Sequence, residues 1–265
     1  MNHTDTKEYI RVKGVYHVEF FKKITSIPNA KYLSMLLILF LAEFTVLAFN
    51  VYDRKDWILE NVLVGIFILV LALTYKAFPL SKISYTLIFI FLCFHEIGSH
   101  YTYSQVPYDR WFESLFGTGM NSLFGWERNH FDRLVHCSYG LLLAYPVREV
   151  FLRIADVKGF WGYFLPVDIT MSTSMLYELI EWGAAEFFGG ELGTAYLGTQ
   201  GDVWDAHKDM GLATIGAVTA MIVTALINMA LQRDLAREWF ASLRVKQRKP
   251  LGEEEIARML EENEK

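Results

Sequence analysis

Between residues 95 and 210, four short strings are rich in ionisable side chains. They read HEIGSH at 95–100, NHFDRLVH at 129–136, YELIEW at 177–182 and GTQGDVWDAHKDM at 198–210. Histidine, aspartate and glutamate are the side chains that bind divalent metals and that exchange protons during hydrolysis. The residue types therefore indicate a metal-binding or acid–base site, provided that the fold brings the four strings together.

The spacing within the strings places their ionisable residues on helix faces. Residues three or four apart lie on the same side of a helix. The pairs at this spacing are Glu96 and His100, Asp132 and His136, Glu178 and Glu181, and Asp205 and Asp209. Helix bundles build metal sites from such pairs when they project inward from neighbouring helices. We therefore expect one shared polar pocket.

Chemical roles can be assigned to this set from residue type. The candidate metal ligands are His95, Glu96, His100, Asp132, His136, Glu178, Asp202 and Asp205. Glu181 and Asp209 are the candidate catalytic residues, as general bases for a metal-bound water. A ligand set rich in oxygen and imidazole, without thiolates, favours zinc, manganese or iron. Arg133 and Lys208 would compensate part of the acidic charge.

A structural interpretation of the same residues stays open. Glu178 or Glu181 could pair with Arg133 and hold helices together, and Asp202 and Asp205 could cap the last span. Each of these interpretations explains its own residue well. The convergence of all the strings at one end of the spans favours a functional site, because ionisable groups within a membrane are costly.

Long apolar segments between the strings predict a polytopic membrane protein. The chain has 265 residues, of which 53% are hydrophobic, and a bilayer core about 30 Å thick needs roughly 20 apolar residues per helix. Six spans fit, at about 32–50, 57–77, 83–103, 130–152, 160–187 and 206–231. A lone strand would leave its backbone unpaired in lipid. The prediction is an all-α bundle whose last four helices surround the site.

The distribution of charge divides the chain into three regions and predicts its orientation in the membrane. Residues 1–31 and 232–265 are rich in charge and are predicted to be cytoplasmic tails, whereas 32–231 form the transmembrane bundle, with the polar site within 80–231. Most Lys and Arg residues fall on the side of the tails, which predicts an N-in, C-in topology. The site would then face the periplasm or the exterior. Glu43 and Glu60 lie in the outward halves of their spans, where they could join the site or hydrogen-bond between helices.

Composition excludes several classes of protein. Two cysteines rule out a disulfide scaffold and a cysteine-rich zinc module. The acidic balance, a formal net charge of −5, gives no reason to expect nucleic-acid binding. Segment 105–128 is aromatic but broken by glycines, which predicts an interfacial helix with a turn, either a lid over the site or a passive anchor in the membrane lipids.

Taken together, the four strings resemble the YjdF-like bacterial inner-membrane proteins, a family without an established function. The resemblance covers essentially residues 80–230 and includes HEIGSHYTY at 95–103. More distantly, an Asp-x-x-x-His at a span start, a Glu ending the next span and an Asp-rich entry to the last resemble VanZ-like proteins, which are associated with glycopeptide resistance. The resemblance implies a protein of the bacterial cytoplasmic membrane and transfers no reaction.

Three functions are compatible with these patterns. The preferred one is a divalent-metal-binding membrane protein that acts as a hydrolase on an envelope or lipid-linked substrate. The first alternative is a transporter or small-ligand binder that uses the carboxylates for a cation or a proton. The second is a structural or resistance-associated membrane protein. Whether the protein is an enzyme, and its oligomeric state, are left open by the sequence.

Overall fold

The computed structural model describes residues 26–190, 193, 197–231, 234–246 and 252–263, and the regular secondary structure of these residues is entirely helical. The helices are α1 (Asn29–Leu47), α2 (Arg54–Thr74), α3 (Lys82–His100), α4 (Tyr108–Phe116), α5 (Met120–Phe124), α6 (Phe131–Ile154), α7 (Trp161–Phe188), α8 (Asp205–Ala230), α9 (Leu235–Ser242) and α10 (Glu253–Asn263). The predicted all-α class is confirmed.

Helices α6 and α8 form the centre of the bundle. A Cβ atom added to Gly140 would overlap the carbonyl oxygen of Ala213, and one added to Gly216 would overlap that of Cys137. Small residues of this kind let two helix backbones approach closely within a membrane. The approach matters for the site because Gly140 lies one turn beyond His136. The polar ends of the two helices are therefore held side by side.

The remaining long helices are arranged around this pair. Helices α3 and α7 both pack against α6, α7 also packs against α8, and α1 and α2 pack against α3. An apolar cluster that includes Phe40, Val64, Ile88 and Leu92 fills the space between α1, α2 and α3. These packing contacts determine which face of each outer helix is turned toward the polar ends of α6 and α8.

Four of the described helices are long and apolar enough to cross a membrane: α1, α2, α3 and α8. With 24 and 28 residues, α6 and α7 would be about 36 and 42 Å long at 1.5 Å per residue, but they are more polar. A helical membrane bundle is thus confirmed. The count of six spans, the N-in, C-in topology and the division into bundle and tails stay predictions, and residues 1–25 lie outside the described part of the chain.

Segment 105–128 forms a helical hairpin between α3 and α6. Gly117 directly follows α4 and Gly125 directly follows α5, and both glycines have positive φ. The Asp109 carboxylate accepts a hydrogen bond of 2.7 Å from the backbone N–H of Asn121, and the Tyr108 hydroxyl donates one of 2.7 Å to the Asn121 side chain. The predicted short helix with a glycine turn is therefore present as two short helices.

Candidate metal centre

The first half of the site comes from the beginning of α6. Asp132 and His136 lie one helical turn apart, and 3.6 Å separates His136 Nε2 from Asp132 Oδ1. His136 is buried, with 8% of its surface exposed. The i,i+4 spacing thus brings a carboxylate and an imidazole together on the face of α6 that is turned into the bundle.

Helix α8 adds Asp209 to this pair. Each of Asp132, His136 and Asp209 offers a ligand atom, and these atoms all lie within 4.8 Å of one another. Asp209 is only 2% exposed, and within the described part of the chain its Oδ1 accepts no hydrogen bond. The close approach of α6 and α8 explains why side chains of two helices reach a common point.

Helix α7 closes the group from the side. Glu178 Oε1 lies 3.5 Å from His136 Nε2 and accepts no hydrogen bond. Glu181, one turn further along α7, is buried and interacts electrostatically with Glu178 and Asp132. Two further carboxylates therefore face the ligand group from a third helix.

Glu60 of α2 also faces this region. The Tyr177 hydroxyl of α7 donates a hydrogen bond of 3.0 Å to Glu60 Oε2. Glu60 is 3% exposed and interacts electrostatically with Asp132 and Glu96. The sequence left its role open because a hydrogen bond between helices explains an acid in the outward half of a span equally well. Its position in the outward half of the span was the available signal.

The three candidate ligands of α3 lie elsewhere. His100 Nδ1 hydrogen-bonds to the Leu47 carbonyl oxygen at 2.6 Å, which joins the ends of α3 and α1. His95 Nδ1 lies 2.5 Å from the Tyr103 hydroxyl. Glu96 is completely buried and interacts electrostatically with Glu43 and with Ser99, its neighbour one turn along α3. None of the three belongs to the ligand group found among the described residues.

Asp202 and Asp205 are held by cations one turn outward from the ligand group. Together with Arg128, Arg133 and Lys208 they form what we call the rim cluster. Arg128 donates to both carboxylate oxygens of Asp205, at 2.6 and 3.1 Å. Arg133 Nη2 lies 2.5 Å from Asp202 Oδ2 and 3.1 Å from Asp205 Oδ1. The two aspartates thus have full sets of protein donors, unlike Asp209.

Electrostatics keep Asp202 ionised. Lys208 donates to its Oδ2 at 2.5 Å, the backbone N–H of Trp204 donates to its Oδ1 at 3.1 Å, and Arg133 adds a further hydrogen bond. These donors hold the pKa of Asp202 well below its ordinary value, with Lys208 as the largest cause. The carboxylate therefore carries its charge throughout the physiological pH range.

The loop before α8, residues 198–204, connects the rim cluster to the start of α6 through hydrogen bonds. The Gln200 side chain accepts a hydrogen bond of 3.0 Å from the backbone N–H of Asn129 and donates one of 3.1 Å to its carbonyl oxygen. Gly198 and Gly201 both have positive φ, a conformation that glycine adopts without strain. The glycines thus form the turn that carries Asp202 to Arg133.

The structure therefore divides the predicted site residues into two sets. The set that it brings together is Asp132, His136, Glu178 and Asp209, with Glu181 beside them. The set that lies outside this group is His95, Glu96, His100, Asp202 and Asp205. Buried carboxylates without donors are costly, and a cation between them would remove that cost. The first set is thus a candidate metal centre, with a further carboxylate beside it.

Comparison with known proteins gives two matches. The family described as "Predicted membrane protein (DUF2238)" matches residues 32–230. A protein of Escherichia coli (strain K12) named "Inner membrane protein YjdF" is 36% identical over 177 residues, which cover 66% of this chain and 80% of that protein. No solved structure matches the chain. The more distant VanZ-like resemblance is not among these findings and stays a prediction.

Proposed function

The chain belongs to the DUF2238 family of membrane proteins, and we propose that this multi-pass protein of the inner membrane binds a divalent metal ion between α6, α7 and α8. Asp132, His136 and Asp209 are the proposed ligands, and Glu178 is a fourth donor. The proposal extends to a reaction, the hydrolysis of an envelope or lipid-linked substrate by a metal-bound water. The metal site and the reaction are tested separately below.

One observation carries the metal site: three ligand atoms from two helices lie within 4.8 Å of one another. Two ligands that each lie near 2.1 Å from a tetrahedral metal are roughly 3.4 Å apart. His136 Nε2 lies 3.6 Å from Asp132 Oδ1 and 3.5 Å from Glu178 Oε1, so only small side-chain adjustments are required. A bound water, which the proposed reaction requires, would occupy a coordination position beyond those of the protein ligands.

The charge balance of the site supports the same proposal. Four carboxylates, those of Asp132, Glu178, Glu181 and Asp209, surround one imidazole, while the nearby arginines are engaged by the rim aspartates. Buried like charges repel strongly unless protons or a cation compensate them. A divalent metal would satisfy Asp209 Oδ1 and Glu178 Oε1, which have no hydrogen-bond donor.

The donor set also indicates which metal and which chemistry. Carboxylates with one imidazole suit zinc, manganese or iron rather than copper(I). Such an ion lowers the pKa of a bound water and produces a nucleophile at neutral pH. Glu181 lies one turn from Glu178 on α7, beside the ligand group, and is the proposed general base, whereas Asp209 becomes a ligand rather than a base.

Elemental analysis of the purified full-length protein tests the metal site. After reconstitution with zinc, manganese or iron, we expect about one equivalent of metal per chain, and we expect Asp209→Asn to lose most of it. The matched control is Asp168→Asn, because Asp168 is exposed on α7 and should keep normal metal content. A chain that binds none of the three metals, or an Asp209→Asn variant that binds as tightly, would contradict the proposal.

The hydrolytic role is tested with Glu181. In a metal-loaded protein, Glu181→Gln should retain its metal and lose hydrolysis of a lipid-linked phosphoester by a factor of about 10²–10⁴, the usual contribution of a general base. Equal loss of metal and hydrolysis would instead make Glu181 a ligand. Full metal binding without hydrolysis in the native chain would leave a metal-binding protein that is not a hydrolase.

A further inference from the structure

We propose that Arg128, Arg133 and Lys208 form a binding site for a phosphate group, which takes the place that the Asp202 carboxylate holds in this structure. The inference rests on the proposed function where it names a phosphate-bearing substrate for the hydrolase. The binding of phosphate itself is a separate property with its own measurement.

The geometry around a single oxygen atom carries the proposal. Asp202 Oδ2 lies 2.5 Å from Arg133 Nη2, 2.5 Å from Lys208 Nζ and 3.6 Å from Arg128 Nη1. Arginine and lysine side chains that converge on one anionic oxygen are the usual arrangement of protein phosphate sites. The Asp202 carboxylate supplies these cations with a single negative charge, which is less than a phosphate group would supply.

Asp205 would keep the cationic site assembled when Asp202 leaves. It holds Arg128 through two hydrogen bonds and also contacts Arg133 at 3.1 Å. Asp205 is 3% exposed and belongs to the first turn of α8. Asp202 instead lies in the loop before α8, directly after Gly201. The two aspartates therefore differ in role, one as a fixed support and the other as an exchangeable anion.

Access and position agree with a substrate site. The Lys208 side chain is 49% exposed, whereas those of Arg128 and Arg133 are 14 and 15% exposed, so the cluster opens to solvent on the side of Lys208. Arg133 follows the proposed ligand Asp132 in sequence, and Lys208 precedes Asp209. A phosphate held by these cations would lie about one helical turn outward from the metal.

Net charge favours an anionic occupant. Three cations face two aspartates in the rim cluster, so its net charge is positive before any ligand binds. A phosphate that displaces Asp202 would receive charge-assisted hydrogen bonds from all three cations, and such bonds are about twice as strong as neutral ones. The chemistry would be shared by inorganic phosphate, a phospholipid headgroup and a lipid-linked phosphate.

Isothermal titration of the purified full-length protein with inorganic phosphate tests the site. Removal of one of three cations in Lys208→Gln should weaken phosphate binding roughly tenfold, because the phosphate loses one charge-assisted hydrogen bond. The matched control is Arg110→Gln, an exposed cation of α4, which should bind phosphate like the native chain. Phosphate binding that is absent from the native chain, or equal in Lys208→Gln, would overturn the proposal.

Removal of the acid rather than of a cation distinguishes a phosphate site from an ion-pair network that is only structural. Asp202→Asn removes the competing carboxylate, so phosphate should bind several-fold more tightly, and weaker binding in a folded Asp202→Asn protein would overturn the proposal. If Asp202→Asn does not fold, Lys208→Arg replaces it: restored phosphate binding supports the site, and binding as weak as in Lys208→Gln contradicts it.

Vesicles identify the source of the phosphate, and metal content separates the two proposals. Binding to vesicles that contain phosphatidic acid but not to pure phosphatidylcholine, lost in Lys208→Gln, would support a lipid phosphate. Binding of inorganic phosphate alone would support a soluble one. Normal metal content in Lys208→Gln with weak phosphate binding supports both proposals. Phosphate binding by a native chain that takes up no metal on reconstitution supports this site and contradicts the proposed metal function.

Discussion

The two ends of α6 carry acidic side chains in opposite circumstances. Near the C-terminal end, Glu149 accepts hydrogen bonds from the backbone N–H of Ser81 at 2.9 and 3.1 Å, from the Ser84 hydroxyl at 2.5 Å and from Arg153 at 2.8 Å. Near the N-terminal end, Glu178 Oε1 and Asp209 Oδ1 receive no hydrogen bond from any residue that the structure describes, although they are similarly removed from solvent.

This difference separates a structural carboxylate from a candidate ligand. Glu149 connects α6 to the start of α3, and its donors satisfy its charge within the chain. The carboxylates at the other end face each other and one imidazole, so their charge must be compensated by bound protons or by a cation. Burial alone does not distinguish the two ends, since the side chains of Glu149 and Glu178 are 13% and 10% exposed.

The largest effect is expected from Gly140→Ala, which would disrupt the acidic group at the N-terminal end of α6. The added methyl would meet the Ala213 carbonyl oxygen and force α6 away from α8, at a cost of about 3 kcal/mol or more. Metal content and melting temperature should both fall. Gly211→Ala is the control, because a Cβ there meets no atom within 4 Å. Normal metal content in Gly140→Ala would show that the glycine contact does not position the ligands.

Removal of the metal should have the next largest effect. A chelator should lower the stability of the metal-loaded protein by about 2.7 kcal/mol when the free metal had been at one hundred times its Kd. Thermal unfolding with and without chelator measures this shift. The chelator should have little effect on Asp209→Asn, and an equal shift in that variant would place the bound metal somewhere else.

A matched pair of substitutions sharpens the comparison between the ends. Glu149→Gln should destabilise the protein by about 2 kcal/mol, because buried donors lose a charged acceptor. Glu178→Gln in metal-free protein should be neutral or stabilising, because a neutral amide is less costly to bury than a carboxylate that faces other carboxylates. Thermal unfolding of both variants in chelator provides the test. Equal destabilisation would mean that Glu178 is also a structural residue.

The smallest expected effect concerns pH and Asp202. Its pKa is lower in the folded protein than its ordinary value of 3.8, so protonation favours the unfolded chain. The stability from Asp202 is therefore fully present above about pH 4 and is lost as the pH falls through the folded-state pKa. The difference in melting temperature between the native chain and Asp202→Asn should be constant from pH 7 to about 5 and shrink below 4. A difference that grows on acidification would contradict this assignment.

Helical periodicity was sufficient to predict which site residues pair within one helix, but not which residues they meet from other parts of the chain. Asp132 and His136 were paired from their i,i+4 spacing, and the structure brings them together. Asp205 and Asp209 have the same spacing, yet Asp205 meets Arg128. Arg128 precedes α6 in an irregular segment, so no helical pattern indicated where its side chain would lie.

The rotation of α3 was also beyond what spacing could show. Glu96 and His100 share a helix face, as predicted, but His100 contacts the end of α1. The packing of apolar residues such as Ile88 and Leu92 against α1 and α2 determines that rotation, and these long-range contacts leave no periodic signal. The all-α membrane class, in contrast, follows from apolar length alone, because lipid permits few alternatives for the backbone.

The tight contact at Gly140 and Gly216 would restrict the size of the metal ion that the proposed site can bind. Backbones that already touch cannot move closer, and the ion pairs between Arg128, Arg133 and the aspartates oppose their separation at the outer end. The span between Asp132 and Asp209 is therefore nearly fixed. An ion of a different size would be accommodated by a shift of α7, which carries Glu178, so residues on the opposite face of α7 would tune which metal is preferred.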